Sequence, residues 1–213
     1  MTYLDLVNNC LRRLRESEAS SVSENEYSAM VGDFVNDAKH IIENAYQWSA
    51  LRQDIDVTTV ASTKTYSLTG ASSRSKIVDV WNETSDVALT YRDKKWFRRR
   101  EVTAPSGQPA YFTYEGLDAS GDIKVRIFPT PDAAYTLEFN AVVPQDRLSD
   151  DSDVLLIPEM PVIHLALAML ARERGETGGT ASAELFQISD RYLKDAIAAE
   201  AARHEEELIY YTV

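Results

Sequence analysis

Hydrophobic and polar positions follow two different periods along the chain, and the period changes twice. From Thr2 to Arg15, Leu4, Val7, Leu11 and Leu14 fall at i, i+3, i+7 and i+10, a single stripe that predicts a short helix. Glu16 to Val22 is a polar loop. Ser23 with Glu26 forms a Ser-x-x-Glu capping box, which predicts the start of a second helix running to about Arg52. Tyr27, Met30, Val31, Phe34, Val35, Ala38, Ile41, Ile42, Ala45 and Tyr46 or Trp48 hold the helical period throughout. Such a helix has roughly 28 residues and a length of about 42 Å. Beyond Arg52 the period falls to 2. Asp54 to Thr59, Tyr66 to Leu68 before Gly70, Ile77 to Trp81 and Val87 to Tyr91 read as strands, the last two flanking a turn at Asn82 to Asp86.

The clearest β pattern runs from Gln108 to Val143. Tyr111 to Glu115 ends at Gly116. Ile123, Val125 and Ile127 alternate with Lys124 and Arg126, then Pro129, Pro131 and Asp132 mark a turn before Tyr135 to Val143. This predicts an antiparallel meander with one buried face. The 3.6 period returns after Pro158 and Pro161, which suit the first turn of a third helix reaching about Arg174. Its interior, VIHLALAML, is apolar almost all round and predicts the most buried helix. Gly175, Gly178 and Gly179 form a link to a fourth helix, Ala181 to Leu208, with Leu185, Ile188, Tyr192, Ala196 and Ala199 as its stripe. The expected class is α+β: a four-helix bundle from segments 1–53 and 158–213, with an antiparallel β-domain, meander or sandwich, inserted at 54–157.

Charge narrows the function. The 213 residues carry a net charge of −12. Met1 to Asp56 and Pro158 to Val213 each hold 5 basic and 10 acidic residues; Val57 to Ile157 holds 12 and 14. A chain gripping phosphates needs a contiguous basic face, so sequence-independent DNA binding by the whole chain is not expected. The single cysteine, Cys10, excludes an internal disulfide and a cysteine-based zinc site, and it sits beside the first stripe as a core thiol. No apolar run reaches the ~20 residues of a membrane span, and the N-terminus lacks a signal-peptide core. A soluble, intracellular product is expected.

Catalytic chemistry finds little support. His40, His164 and His204 have no second histidine or cysteine at ligand spacing, and His164 reads as a hydrogen-bonded core residue. G-x-S-x-G is absent, and the Gly175 to Gly179 link follows a helix and lacks a P-loop lysine. Asp150, Asp151 and Asp153 lack the glycine and distal glutamate of an EF-hand, so they read as a solvated turn. Two segments exceed background. One is Lys94, Lys95, Trp96, Phe97, Arg98, Arg99 and Arg100, either an amphipathic turn with its aromatics packed inward, or a contact loop for an acidic partner, a neighbouring copy or DNA. The other is the tail EEELIYYTV, either frayed or ordering against a partner.

The order of elements, and the phrase SGQPAYF…IKVRIFPTPDAAYTLEFNAVV…LSDDSDVLLIP, resemble the head-to-tail adaptor (connector) proteins of tailed bacteriophages, specifically the tail tubular protein A-like group. The matching devices are Gly107 with Pro109, the Phe128 to Pro131 turn, and the acidic turn from Asp150 to Pro158. The resemblance implies a non-enzymatic virion protein of the neck, assembled in the host cytoplasm, with no catalytic residue, metal or cofactor. It implies a ring of twelve copies that docks on the portal protein, extends the DNA channel and offers a platform to the tail or nozzle protein. Genomic DNA would pass through without specific binding, and no membrane is involved. By position it makes Leu208 to Val213, with Leu208, Ile209, Tyr210 and Tyr211 foremost, a portal-contact segment. Two other readings stay open on the residues: a neck or tail-completion protein of a long-tailed phage, and a carbohydrate-binding β-module stacking sugars on Trp81, Trp96 and the Tyr111/Tyr114 pair. A hydrolase would require a deep pocket with convergent carboxylates.

Overall fold

A computed structural model describes residues 1–100, 106–175 and 180–203. The chain is mixed α and β and divides into two compact units: Met1–Ala50 with Gln145–Val213, and Leu51–Pro144.

The first unit begins with α1, Tyr3–Arg13. The Thr2 hydroxyl accepts the Asp5 N–H and the Asp5 carboxylate accepts the Thr2 N–H, each at 3.2 Å, a reciprocal cap. Its buried face is Tyr3, Leu6, Val7, Cys10 and Leu11, which keeps Val7 and Leu11 of the expected stripe but is rotated part of a turn from it, so that Leu4 and Leu14 are only half-buried. Helix α2 spans Glu26–Ala45. Two expectations are corrected here. The cap is Asn25 with Ser28, not Ser23 with Glu26: the Asn25 side chain accepts the Ser28 N–H at 2.9 Å, and the Ser28 hydroxyl accepts the Asn25 N–H at 3.2 Å. The helix also stops at Ala45 rather than near Arg52, which makes it 20 residues, about 30 Å. Tyr46 is extended, and the Trp48 indole N–H donates back to the Ile42 carbonyl at 2.9 Å, taking one of the carbonyls that the last turn leaves open. Trp48 is fully buried, and the 3-10 turn Ser49–Leu51 follows it.

A further helix of this unit, Glu159–Glu173, starts directly after Pro158 and carries Pro161 in its first turn. It is the fourth α-helix in chain order, α4. Val162, Ile163, Leu165, Ala166, Leu167, Ala168, Leu170 and Ala171 are all buried, as its all-round apolar sequence requires. It packs on α1, α2 and the last helix, α5, Thr180–Ala201. The stripe of α5 differs from expectation. Ile188 is 41% exposed and Ala199 is exposed, whereas Ser189 and Glu200 are buried. Glu200 holds its core-facing position because its carboxylate is partnered: it accepts the Ser49 N–H at 2.7 Å and pairs with Arg203 at 3.0 Å.

The second unit is a pair of four-stranded sheets. β1 is Arg52–Thr58, β2 Thr65–Ser72, β3 Lys76–Asn82, β4 Val87–Ala88, β5 Thr90–Tyr91, β6 Tyr111–Leu117, β7 Asp122–Phe128 and β8 Thr136–Val142. The seven-residue helix Lys94–Arg100, α3, lies between β5 and β6. The sheet orders are β1-β8-β3-β4 and β2-β7-β6-β5, antiparallel except for β5 with β6. The expected meander is only half present. β6 and β7 pair, but β8 leaves them and inserts between β1 and β3 of the other sheet. The seven residues from Pro129 to Tyr135 are too many for a tight hairpin, and two prolines remove ladder donors. Their carbonyls bond elsewhere: Pro131 to the Ser62 N–H at 2.9 Å, and Tyr135 to the Thr59 N–H at 2.8 Å.

Likewise Val87 to Tyr91 is not one strand. The chain changes sheets at Leu89, which is buried and donates its N–H to the Val80 carbonyl at 2.8 Å. Leu68, Val80, Phe112, Val125, Ile127, Leu137 and Phe139, drawn from both sheets, fill the space between them.

Candidate functional site

The basic segment singled out in the sequence is the exposed face of α3. Residues alternating with core positions on β6 and β7 point away from the sandwich interior; Tyr111 and Phe128 are two of these, next to buried Phe112 and Ile127. α3 lies on that outer face. Phe97 is fully buried and packs on Phe128 at 5.9 Å between ring centroids; Trp96 packs at a tilt on Tyr111 at 4.6 Å and meets Phe128 edge-on at 5.5 Å. Of the two aromatics expected to pack inward, Phe97 does so completely and Trp96 remains partly exposed. The charges surround this anchor. The Arg100 guanidinium lies 4.7 Å above the Trp96 ring, and Arg92 lies 5.7 Å from the Tyr111 centroid. Lys94 donates to the Glu115 carbonyl at 3.0 Å. Lys95, Arg98 and Arg99 are exposed and make no ion pair among the described residues. A cleft of about 460 Å³ runs between Asp93, Lys95, Trp96, Arg99 and Arg100.

The opposite outer face, on β1, β8 and β3, carries the other sign. The register places Asp56, Glu138 and Trp81 in one row and Asp54, Asn140 and Asp79 in the next. Neighbours in such rows stand ~5 Å apart. Partial burial and then the charges of Asp54, Glu83, Asp56 and Asp79 push the Glu138 carboxyl above its ordinary range. Sequence reading missed this face, because the acids come from β1, β3 and β8 and converge only through the crossover of β8.

The remaining candidates resolve as follows. Cys10 lies on the buried face of α1, and burial pushes its thiol up to about 12. His164 is half-buried rather than a core residue: it stacks on Tyr192 at 4.4 Å, and its Nε2 lies 2.9 Å from an Arg13 nitrogen. A guanidinium only donates, so Nε2 accepts and the ring is neutral; burial and the Arg13 charge both hold its pKa low. The aspartate turn is tied to backbone amides. Asp153 accepts the Ser149 and Asp150 N–H groups at 2.7 and 2.9 Å, which hold its carboxyl low, and Asp151 accepts the Val22 N–H at 2.9 Å. No group of three or more potential metal ligands occurs among the described residues, and none of the described helices is long and apolar enough to cross a membrane. Trp81 lies on β3 and Trp96 on α3 over the other sheet, and the Tyr114 hydroxyl accepts the Ile77 N–H at 3.3 Å on the inward side of β6, so these aromatics do not form the aligned row that sugar stacking requires. The tail residues Leu208, Ile209, Tyr210 and Tyr211, and His204, lie outside the described residues.

The family whose model matches this chain is one of structural adaptors of the bacteriophage virion. The chain belongs to the SU10 adaptor protein family, whose model matches residues 1–208. The match spans almost the whole chain, so helices and sandwich alike belong to the family's plan; adaptors act with portal and tail proteins in general. No curated protein matches the chain.

Proposed function

We propose that the protein is the head-to-tail adaptor subunit of a phage neck: a ring-forming protein that docks on the portal, prolongs the DNA channel and receives the tail or nozzle. The observation that carries this reading is the family match from residue 1 to residue 208. In this reading α1, α2, α4 and α5 act as one bundle, from segments 1–53 and 158–213, facing the portal and the neighbouring subunits. The sandwich, within 54–157, faces outward or toward the tail. Leu208 to Val213 contributes a portal contact. Twelve subunits of charge −12 would carry about −144. A lumen of that sign repels phosphate and lets genomic DNA slide without specific binding. Assembly takes place in the host cytoplasm, before the protein takes its place in the virion.

The test is light scattering of the purified protein with and without its portal, together with a variant ending at Glu207. The full chain is expected to form a portal complex of defined copy number, and the shortened chain to bind at least about tenfold more weakly, as loss of about 1.4 kcal/mol or more would give. A full-length protein that stays monomeric and ignores the portal would refute the adaptor reading. A shortened chain that binds equally would remove only the tail assignment.

A further inference from the structure

The basic and acidic clusters lie on opposite outer faces of one sandwich, so neither can neutralise the other within a chain. α3 covers the β6–β7 face, as Trp96 and Phe97 against Tyr111 and Phe128 show. The β1-β8-β3-β4 face presents Asp54, Asp56, Asp79, Glu83 and Glu138 around Trp81, which is 39% exposed. Both faces are unfavourable in a lone subunit. Like charges directly across strands repel, and Lys95, Arg98 and Arg99 have no acidic partner among the described residues. An exposed indole beside carboxylates suits a guanidinium, which stacks on the ring while its N–H fork meets the acids.

We propose that the α3 face of one copy seats on the acidic sheet face of the next, with Arg98 and Arg99 entering the patch formed by Asp54, Asp56 and Glu138 and with Trp81 as the stacking surface. This rests on the ring reading above and supplies its subunit contact. The occupant is a second copy because only that satisfies both faces at once. A nucleic acid would take the helix and leave the acids unmatched, and a basic partner would do the reverse. Two different patches on opposite faces make a head-to-tail contact, the kind that closes into rings when its rotation permits.

Two variants test it. One, Arg98→Glu with Arg99→Glu, makes both faces acidic. The other, Asp54→Lys with Asp56→Lys, makes both basic. All four side chains are exposed, so circular dichroism should show native folding and unchanged melting within a few degrees. Self-association is read by sedimentation at about 50 mM salt, where screening is weak, and by native mass of portal complexes. Each variant alone should lose at least about tenfold in association, and an equimolar mixture should recover it, because every interface in an alternating assembly is again acid against base. Unimpaired assembly of either variant, or folded variants that fail to assemble when mixed, would overturn the proposal. So would a short DNA duplex that binds the native protein through Arg98 and Arg99 while self-association is indifferent to them. The two readings fail separately. Portal binding without dependence on these charges leaves the adaptor standing and removes the interface. Charge-dependent oligomers that ignore the portal do the opposite.

Discussion

Replacing Asn36 by alanine should destabilise the helical unit by about 1.5–5 kcal/mol, because one side chain holds three pieces of chain together. Asn36 lies on α2 and is 6% exposed. Its amide donates to the Leu148 carbonyl at 3.1 Å, to the Tyr3 hydroxyl at 3.0 Å and to the Gly32 carbonyl at 3.3 Å; its oxygen accepts the Leu148 N–H at 3.0 Å. Leu148 is itself buried. Truncation therefore strands a backbone donor and a backbone acceptor, at about 1–3 kcal/mol each. The better helix propensity of alanine returns about 0.5 kcal/mol, and solvent entering the vacated space relieves part of the rest. The assay is urea unfolding followed by far-UV circular dichroism, with the transition of the helical unit fitted separately from that of the sandwich. Asn36→Asp sharpens the test. At neutral pH it keeps the acceptor for the Leu148 N–H but turns a second oxygen on the Leu148 carbonyl and buries a charge, so it should cost at least as much as alanine. In acid its protonated carboxyl can donate, and its deficit relative to the native protein should shrink. A loss below about 1 kcal/mol for Asn36→Ala would refute this account of what secures the Gln145–Ile157 segment.

Other outcomes follow from particular contacts. Gly32→Ala should destabilise despite the ~1 kcal/mol that alanine normally gains in a helix: the new methyl would lie 2.8 Å from the Val22 side chain and closer still to the Tyr3 hydroxyl, and a raised melting temperature would contradict it. Glu138→Gln should raise the melting temperature at neutral pH. The folded-state pKa of Glu138 is raised from an ordinary 4.5, so folding is favoured below that value and penalised as pH climbs through the shifted one. The gain should vanish well below pH 4.5, and an equal gain at acid pH would refute the electrostatic cause. Cys10 should resist alkylation in the native state and react on unfolding, as its burial and a pKa near 12 require; rapid native labelling, read by mass spectrometry, would contradict the placement.

Much of this fold is legible in the hydrophobic periods, and the failures have local causes. The Gln108–Val143 run shows three strands plainly, but period 2 reports only which faces are buried, not which strand is the neighbour. Hence the crossing of β8, and the acidic face it assembles, were out of reach. The second helix reads too long because Trp48 continues the apolar spacing while its indole turns back on Ile42. The α5 stripe is blurred because Ser189 and Glu200 occupy buried positions that a hydrophobic pattern cannot credit. The Lys94–Arg100 segment, by contrast, declares itself in composition, since large aromatics set among arginines mark a helix anchored on one side and charged on the other.

The two ends of the sandwich unit offer one more consequence. β1 and β8, its first and last strands, run side by side from Arg52 opposite Val142, and the Val143 N–H donates to the Leu51 carbonyl at 2.8 Å. Entry and exit are thus hydrogen-bonded neighbours, and the gap the host segments must bridge is one strand spacing, about 5 Å. A cassette mounted this way can be exchanged for another of any size, or excised and closed with a short turn, at almost no change in loop-closure entropy for the host. The helices can stay constant while the surface between Leu51 and Pro144 is swapped wholesale to suit a new neighbour.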